Sequence, residues 1–297
     1  MNPVPVQPRG FSDETIRVFV RLTLFVVAAI IVRRLVPMAI PVLMPSEVSA
    51  IIVAALSSFA AGAFANGLLV RMYEGSRLSA FGMEWTEPSA PELLVGVAGG
   101  AGAALVIGLI ALATKMAEEQ HVQASAAWPV NLLFVLVVLA FGAVGEELLF
   151  RGYAFQLLIR TMGEFAAVLP VSVLFGIAHM GNHGVTLMAI FNTIVWGVLL
   201  GYAFLRTRAL WLPIGLHFGW NAAMPVLGIN LSGFTMGVPG SSLLGYTMHW
   251  NVGELWSGGA YGLEGSLMTT VAVVILFFVV QRAIPSKDAP EVFPEAI

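Results

Sequence analysis

Apolar residues fill most of this chain in long blocks, and short polar stretches punctuate them. Eight blocks are long enough to cross the ~30 Å of hydrocarbon in a bilayer. They lie near 15–37, 48–72, 91–115, 129–159, 164–180, 184–205, 209–228 and 266–283. Arg21, Arg33 and Arg34 leave the first with a short uncharged core, so its ends are expected to snorkel. The fifth is also short. The pattern predicts an all-α fold: a polytopic membrane bundle of about eight transmembrane helices. The loop 229–265 is rich in Gly and Ser. No strict repeat and no low-complexity tract interrupts the pattern.

Composition supports the same class. Hydrophobic residues make up 58% of the 297, charged residues 10%, and the mean hydropathy is +0.89. Soluble domains carry about 25% charged residues. The net charge of −3 gives no electrostatic footprint for nucleic acid. The absence of cysteine excludes disulfides, a thiol nucleophile and Cys-ligated metals. The first apolar block follows the polar stretch MNPVPVQPRGFSDET with no small-residue cleavage site after it, so no cleavable signal is expected.

Charge also orients the bundle. With a cytoplasmic N-terminus, eleven of the fourteen Lys and Arg fall on the inner side. These are Arg9, Arg17, Arg21, Arg71, Arg77, Arg151, Arg160, Arg206, Arg208, Arg282 and Lys287. Only Arg33, Arg34 and Lys115 fall outside. The positive-inside rule then predicts both termini in the cytoplasm and an even number of spans. The chain divides into a tail at 1–13, three N-terminal transmembrane helices at 14–127, a membrane core at 128–283 and a second cytoplasmic tail at 284–297.

An ionisable residue at membrane depth is a functional-site hypothesis by default. GEELLFRGY, residues 145–153, puts two carboxylates and an arginine in the fourth span. Glu147 and Arg151 stand four apart on one helix face, acid before base, the favourable order for a pair. Glu146 points about 100° away. It is therefore left without a cation and is the candidate general base. Gly142, one turn earlier, leaves room beside it. A structural ion-pair knot of all three charges explains this span equally well.

His179 ends LFGIAH in the fifth span, one turn after Phe175. Spans four and five form a hairpin turning near Thr161–Glu164. Glu146 and His179 each lie about 25 Å from that turn, so they are level and can meet. LHFGWN, residues 216–221, puts His217 and Asn221 on one face of the seventh span. Two donors aimed one way suit a developing oxyanion, although helix–helix hydrogen bonds would use the same residues. His183 is placed in an outer loop, His121 and His249 are loop residues without a partner in sequence, and Asn192 can join helices.

Together these stretches resemble the CPBP family of intramembrane proteases, the CaaX-protease and bacteriocin-processing group, Abi-like proteins among them. The family pattern EExxxR, FxxxH, HxxxN reads here as Glu146-Glu147 to Arg151, Phe175 to His179 and His217 to Asn221. FGMEW (81–85) and GLEGS (262–266) also look like bacterial members, more loosely. The resemblance implies an eight-helix intramembrane endopeptidase acting near the cytosolic side of a bacterial inner membrane. Its partners would be the lipid bilayer and an unidentified peptide or protein substrate. It implies that Glu146 and His179 activate a water, that His217 and Asn221 bind the oxyanion, and that Glu147 and Arg151 shape the site. No cofactor is expected. A catalytic zinc held by Glu146, His179 and His217 is the alternative, although no HExxH helix is present. A non-catalytic scaffold or immunity protein is a further alternative. A transporter would show matching interrupted spans in two halves, and none is seen.

Overall fold

A computed structural model describes residues 13–39, 46–75, 77, 81–124, 126–235, 241–242 and 244–287. Arg9 and most of both tails lie outside these residues. Helices α1 (Asp13–Ala39), α2 (Ser46–Tyr73) and α3 (Ser89–Ala113) come first. After strands β1 (Ala117–His121) and β2 (Gln123–Ala124) come α4 (Trp128–Arg151), α5 (Tyr153–Met162), α6 (Glu164–Ala178), α7 (Leu187–Thr207) and α8 (Trp211–Leu227). Strands β3 (Ser241–Ser242) and β4 (Tyr246–Trp250), the short α9 (Glu254–Ser257), two 3-10 turns and α10 (Leu267–Ala283) complete the order.

Each apolar block of the sequence but the fourth coincides with one helix. Five helical stretches are long and apolar enough to cross a membrane: Glu14–Met38, Ala50–Tyr73, Ser89–Ala113, Trp128–Met162 and Leu187–Thr207. Glu164–Ala178 and Leu267–Ala283 are apolar but shorter. The structure thus supports a polytopic helical membrane protein; five stretches meet the length of a span, and the expected eight would also need α6, α8 and α10.

Two local features depart from the pattern. The fourth block is not one helix, because it breaks at Gly152. A Cβ there would lie 2.3 Å from both Leu148 O and Asn66 Oδ1. Asn66 of α2 takes over the interrupted bonds. Its amide donates to Leu148 O at 2.8 Å, and its Oδ1 accepts from Tyr153 N at 2.7 Å. A buried helix break needs such partners. The second departure is a pair of small sheets. β1 pairs antiparallel with β4, with Glu118 opposite His249, and β2 pairs parallel with β3. His121 and His249 therefore belong to strands, not loops.

Helices that lack an aqueous driving force for association pack through small residues. A Cβ on Gly100 of α3 would lie 2.1 Å from Leu216 O of α8. One on Gly219 of α8 would lie 2.3 Å from Val97 O. Gly145 of α4 touches α2, where a Cβ would come within 2.3 Å of Phe59 N. Gly197 of α7 packs on Ser172 of α6 in the same way, with 2.8 Å to its Cβ. These approaches seat α4, α6 and α8, the helices that carry the three motifs, each against a partner helix.

Candidate active site

Glu147 and Arg151 are the most deeply buried charges of the site. Their side chains are 0% and 1% exposed and meet through Nη1 and Oε1 at 3.2 Å. Arg151 also donates from Nη2 to Gly197 O at 3.0 Å, crossing to α7. The spacing predicts this contact; it does not predict that Glu147 has a second partner. His217 Nδ1 lies 2.9 Å from the same Oε1. An ionised carboxylate only accepts, so Nδ1 of His217 carries the hydrogen.

His179 is oriented by its own helix end. Its Nδ1 lies 2.8 Å from Phe175 O, and a carbonyl oxygen can only accept. Both imidazoles therefore present Nε2 to the cavity. Phe175 holds the rings apart, its centroid 4.8 Å from His179 and 6.1 Å from His217. Its face also receives the Arg151 guanidinium at 4.6 Å, a cation–π contact. The phenylalanine of FxxxH thus touches all three charged or imidazole groups around it.

Glu146, the carboxylate turned away from Arg151, faces both rings. Its Oε2 lies 3.8 Å from His179 Nε2 and 3.7 Å from His217 Nε2. These separations are too long for direct hydrogen bonds and short enough for one water to bridge. Glu146, His179, His217 and Asn221 line one cavity with Gly142. About 100 Å³ of it is open to the centres of water molecules, room for several waters or a short side chain. The structure thus brings together all four residues expected to do chemistry, with Glu147 and Arg151 behind them.

A zinc centre would need Glu146, His179 and His217 to close around one ion. Among the described residues no three His, Asp or Glu side chains form such a group. No step below runs through a metal.

One charged lining residue lies outside the three motifs. Glu264, from the turn before α10, faces the same cavity. Ser232 donates to its Oε2 from Oγ at 2.8 Å and also from its backbone N–H. Burial pushes the Glu264 carboxyl above its usual range, against the lowering effect of these bonds. Asn192 of α7 fixes the backbone of this turn, donating 2.8 Å bonds to Glu264 O and Ser266 O. Periodicity cannot reveal a site residue on a turn. The available signal was a lone carboxylate two positions before an apolar block.

The acid–imidazole cavity thus lies inside a polytopic helical bundle. Residues 127–223 match the family model described as type II CAAX prenyl endopeptidase, Rce1-like. That segment is similar to an Rce1-like domain. It covers about a third of the chain and contains all three motifs. Neither a comparison with curated proteins nor one with solved structures gave a match. The family assignment supports a membrane-embedded protease.

Proposed function

We propose that this protein is an intramembrane endopeptidase that hydrolyses peptide bonds of membrane-associated peptides or proteins with a glutamate-activated water. The observation that carries the reading is Glu146 Oε2 facing the Nε2 atoms of His179 and His217 beside Asn221, inside the Rce1-like segment. A water bridging Glu146 and His179 transfers a proton to Glu146 as its oxygen attacks the scissile carbonyl carbon. Asn221 donates to the resulting oxyanion. His217 donates from Nε2 when protonated there, and the Glu147 carboxylate against its Nδ1 offsets the charge of that imidazolium. Collapse of the tetrahedral intermediate breaks the C–N bond, and Glu146 returns the proton to the leaving amine. Glu147 and Arg151 keep His217 in place.

The same proposal sets the protein in a bacterial inner membrane with eight crossings and both termini inside. The three shorter helices, α6, α8 and α10, then complete the bundle beside the five long ones. The lipid bilayer is its surrounding partner, and no cofactor takes part.

The test compares membrane peptides from cells carrying the wild type or Glu146→Gln by proteomics, followed by cleavage assays on the purified protein. Peptides found only with the wild type, cleaved in vitro and not by Glu146→Gln, are the expected result. Undiminished cleavage by Glu146→Gln would sink the mechanism. Cleavage lost to a strong chelator and restored by zinc would replace it with the metal reading.

A further inference from the structure

Glu264 has no part in the mechanism above, yet the fold invests in it. Its turn is fixed by Asn192 from below and by Thr269, which donates to Leu263 O at 2.7 Å. Ser232, the donor to its Oε2, holds a left-handed φ of +49° without being glycine, so this contact is kept against backbone strain. Oε2 is thereby occupied, while Oε1 has no hydrogen-bond partner among the described residues. The side chain lies deep in the molecule but keeps some exposed surface, and the space it borders is the cavity.

No lysine or arginine lines that cavity, and none among the described residues forms an ion pair with Glu264. His179 and His217 line the same cavity and draw on Glu264 electrostatically when protonated, but among the described residues neither forms a hydrogen bond or ion pair with it. Attraction for a compact cation is strong where water is scarce. A buried carboxylate missing its counter-charge is stabilised by a ligand that brings one.

We propose that Glu264 is a specificity-determining residue whose carboxylate receives an ammonium group of the bound peptide. The ammonium comes from a lysine side chain or a free N-terminus, and its capture sets the neighbouring peptide bond against Glu146. This rests on the peptidase reading for its consequence but not for its binding.

The experiment uses the purified full chain in detergent, with Glu146→Gln to prevent turnover. Three labelled leucine-rich hexapeptides serve as probes. One is N-acetylated with a central lysine, one is N-acetylated with norleucine in its place, and one has the norleucine with a free N-terminus. Fluorescence anisotropy gives the affinities. The lysine or the free-amine probe is expected to bind about tenfold more tightly than the acetylated norleucine probe, and whichever gains names the source of the ammonium. Adding Glu264→Gln, which keeps an acceptor for Ser232 and should leave the thermal midpoint unchanged, is expected to erase that difference. Glu264→Lys is expected to favour an acetylated probe with glutamate instead. Equal affinities, no binding by any probe, or discrimination that survives Glu264→Gln each overturn the proposal. Wild-type turnover of the lysine probe is scored separately. Discrimination without cleavage would count against the peptidase and leave the ammonium site standing. Cleavage without discrimination would do the reverse.

Discussion

Glu146 and Glu147 are neighbours in sequence with opposite duties, and their environments separate them. Glu147 is sealed between Arg151 and His217, whereas Glu146 opens on the cavity. Glu146→Gln is nearly isosteric and should fold as the wild type while losing about 10²–10⁴-fold in turnover. Asn221→Ala should lose about 10²–10³-fold in kcat with little change in substrate affinity, as expected for an oxyanion donor. Arg151→Ala should instead lower the thermal midpoint, because stranding Glu147 in the interior costs roughly 3–5 kcal/mol. A normal midpoint for Arg151→Ala would remove the structural role. The motif residues were legible because helical spacing of three and four fixes which side chains share a face. The His217–Glu147 bond was not, since it joins two helices whose rotation no single span reveals. Glu264 was less legible still, because a turn residue has no periodicity to betray its direction.

At the level of elements, the placement of Glu146 depends on how closely α4 sits on α2. Gly145→Ala would push its Cβ to 2.3 Å from Phe59 N, a contact that only backbone movement relieves. Overpacking of this kind costs roughly 1–3 kcal/mol, and here it also displaces the adjacent base. Gly145→Ala should therefore lower both the thermal midpoint and turnover. Gly102→Ala on α3 is the control, because its Cβ would meet nothing within 4 Å; midpoint and activity should be unaffected. Equal behaviour of the two variants would refute the packing argument. The helices themselves followed from apolar length, which is why every block but the fourth became one. The break at Gly152 did not, since it depends on Asn66 arriving from α2. The β1–β4 pairing was also hidden. AEEQH lacks the apolar alternation of a strand, and its partner lies more than a hundred residues away in the chain.

For the whole molecule, the fold sorts charge between two ends of the bundle. Arg21 meets Glu74 beside the end of α2, Arg208 pairs with Glu164 at the start of α6, and Arg206 bonds Ile284 O after α10. Lys287 reaches Glu92 of α3 at 2.5 Å at this same end. Lys115 lies at the opposite end, where Met116 O accepts from Asn251 N beside the β1–β4 sheet. In the proposed orientation the first end would face the cytoplasm and the sheet the outer side. The cavity reaches toward the sheet end, since Ile51 near the start of α2 and Ser232 and Glu264 from the loops after α8 and before α10 all line it. The orientation bears on the side from which substrate arrives, and with both termini inside the cavity would open away from the cytosolic side that the family resemblance implies. A chain with no native cysteine allows a clean measurement. Single cysteines would replace Glu118 of β1 and Ser286 after α10, both exposed. In intact cells a membrane-impermeant maleimide should label Glu118→Cys and spare Ser286→Cys until the membrane is opened. The reverse pattern would invert the bundle and turn the cavity toward the cytoplasm. Labelling of both in intact cells would put the two ends on the same side of the membrane and exclude the proposed crossing of α10.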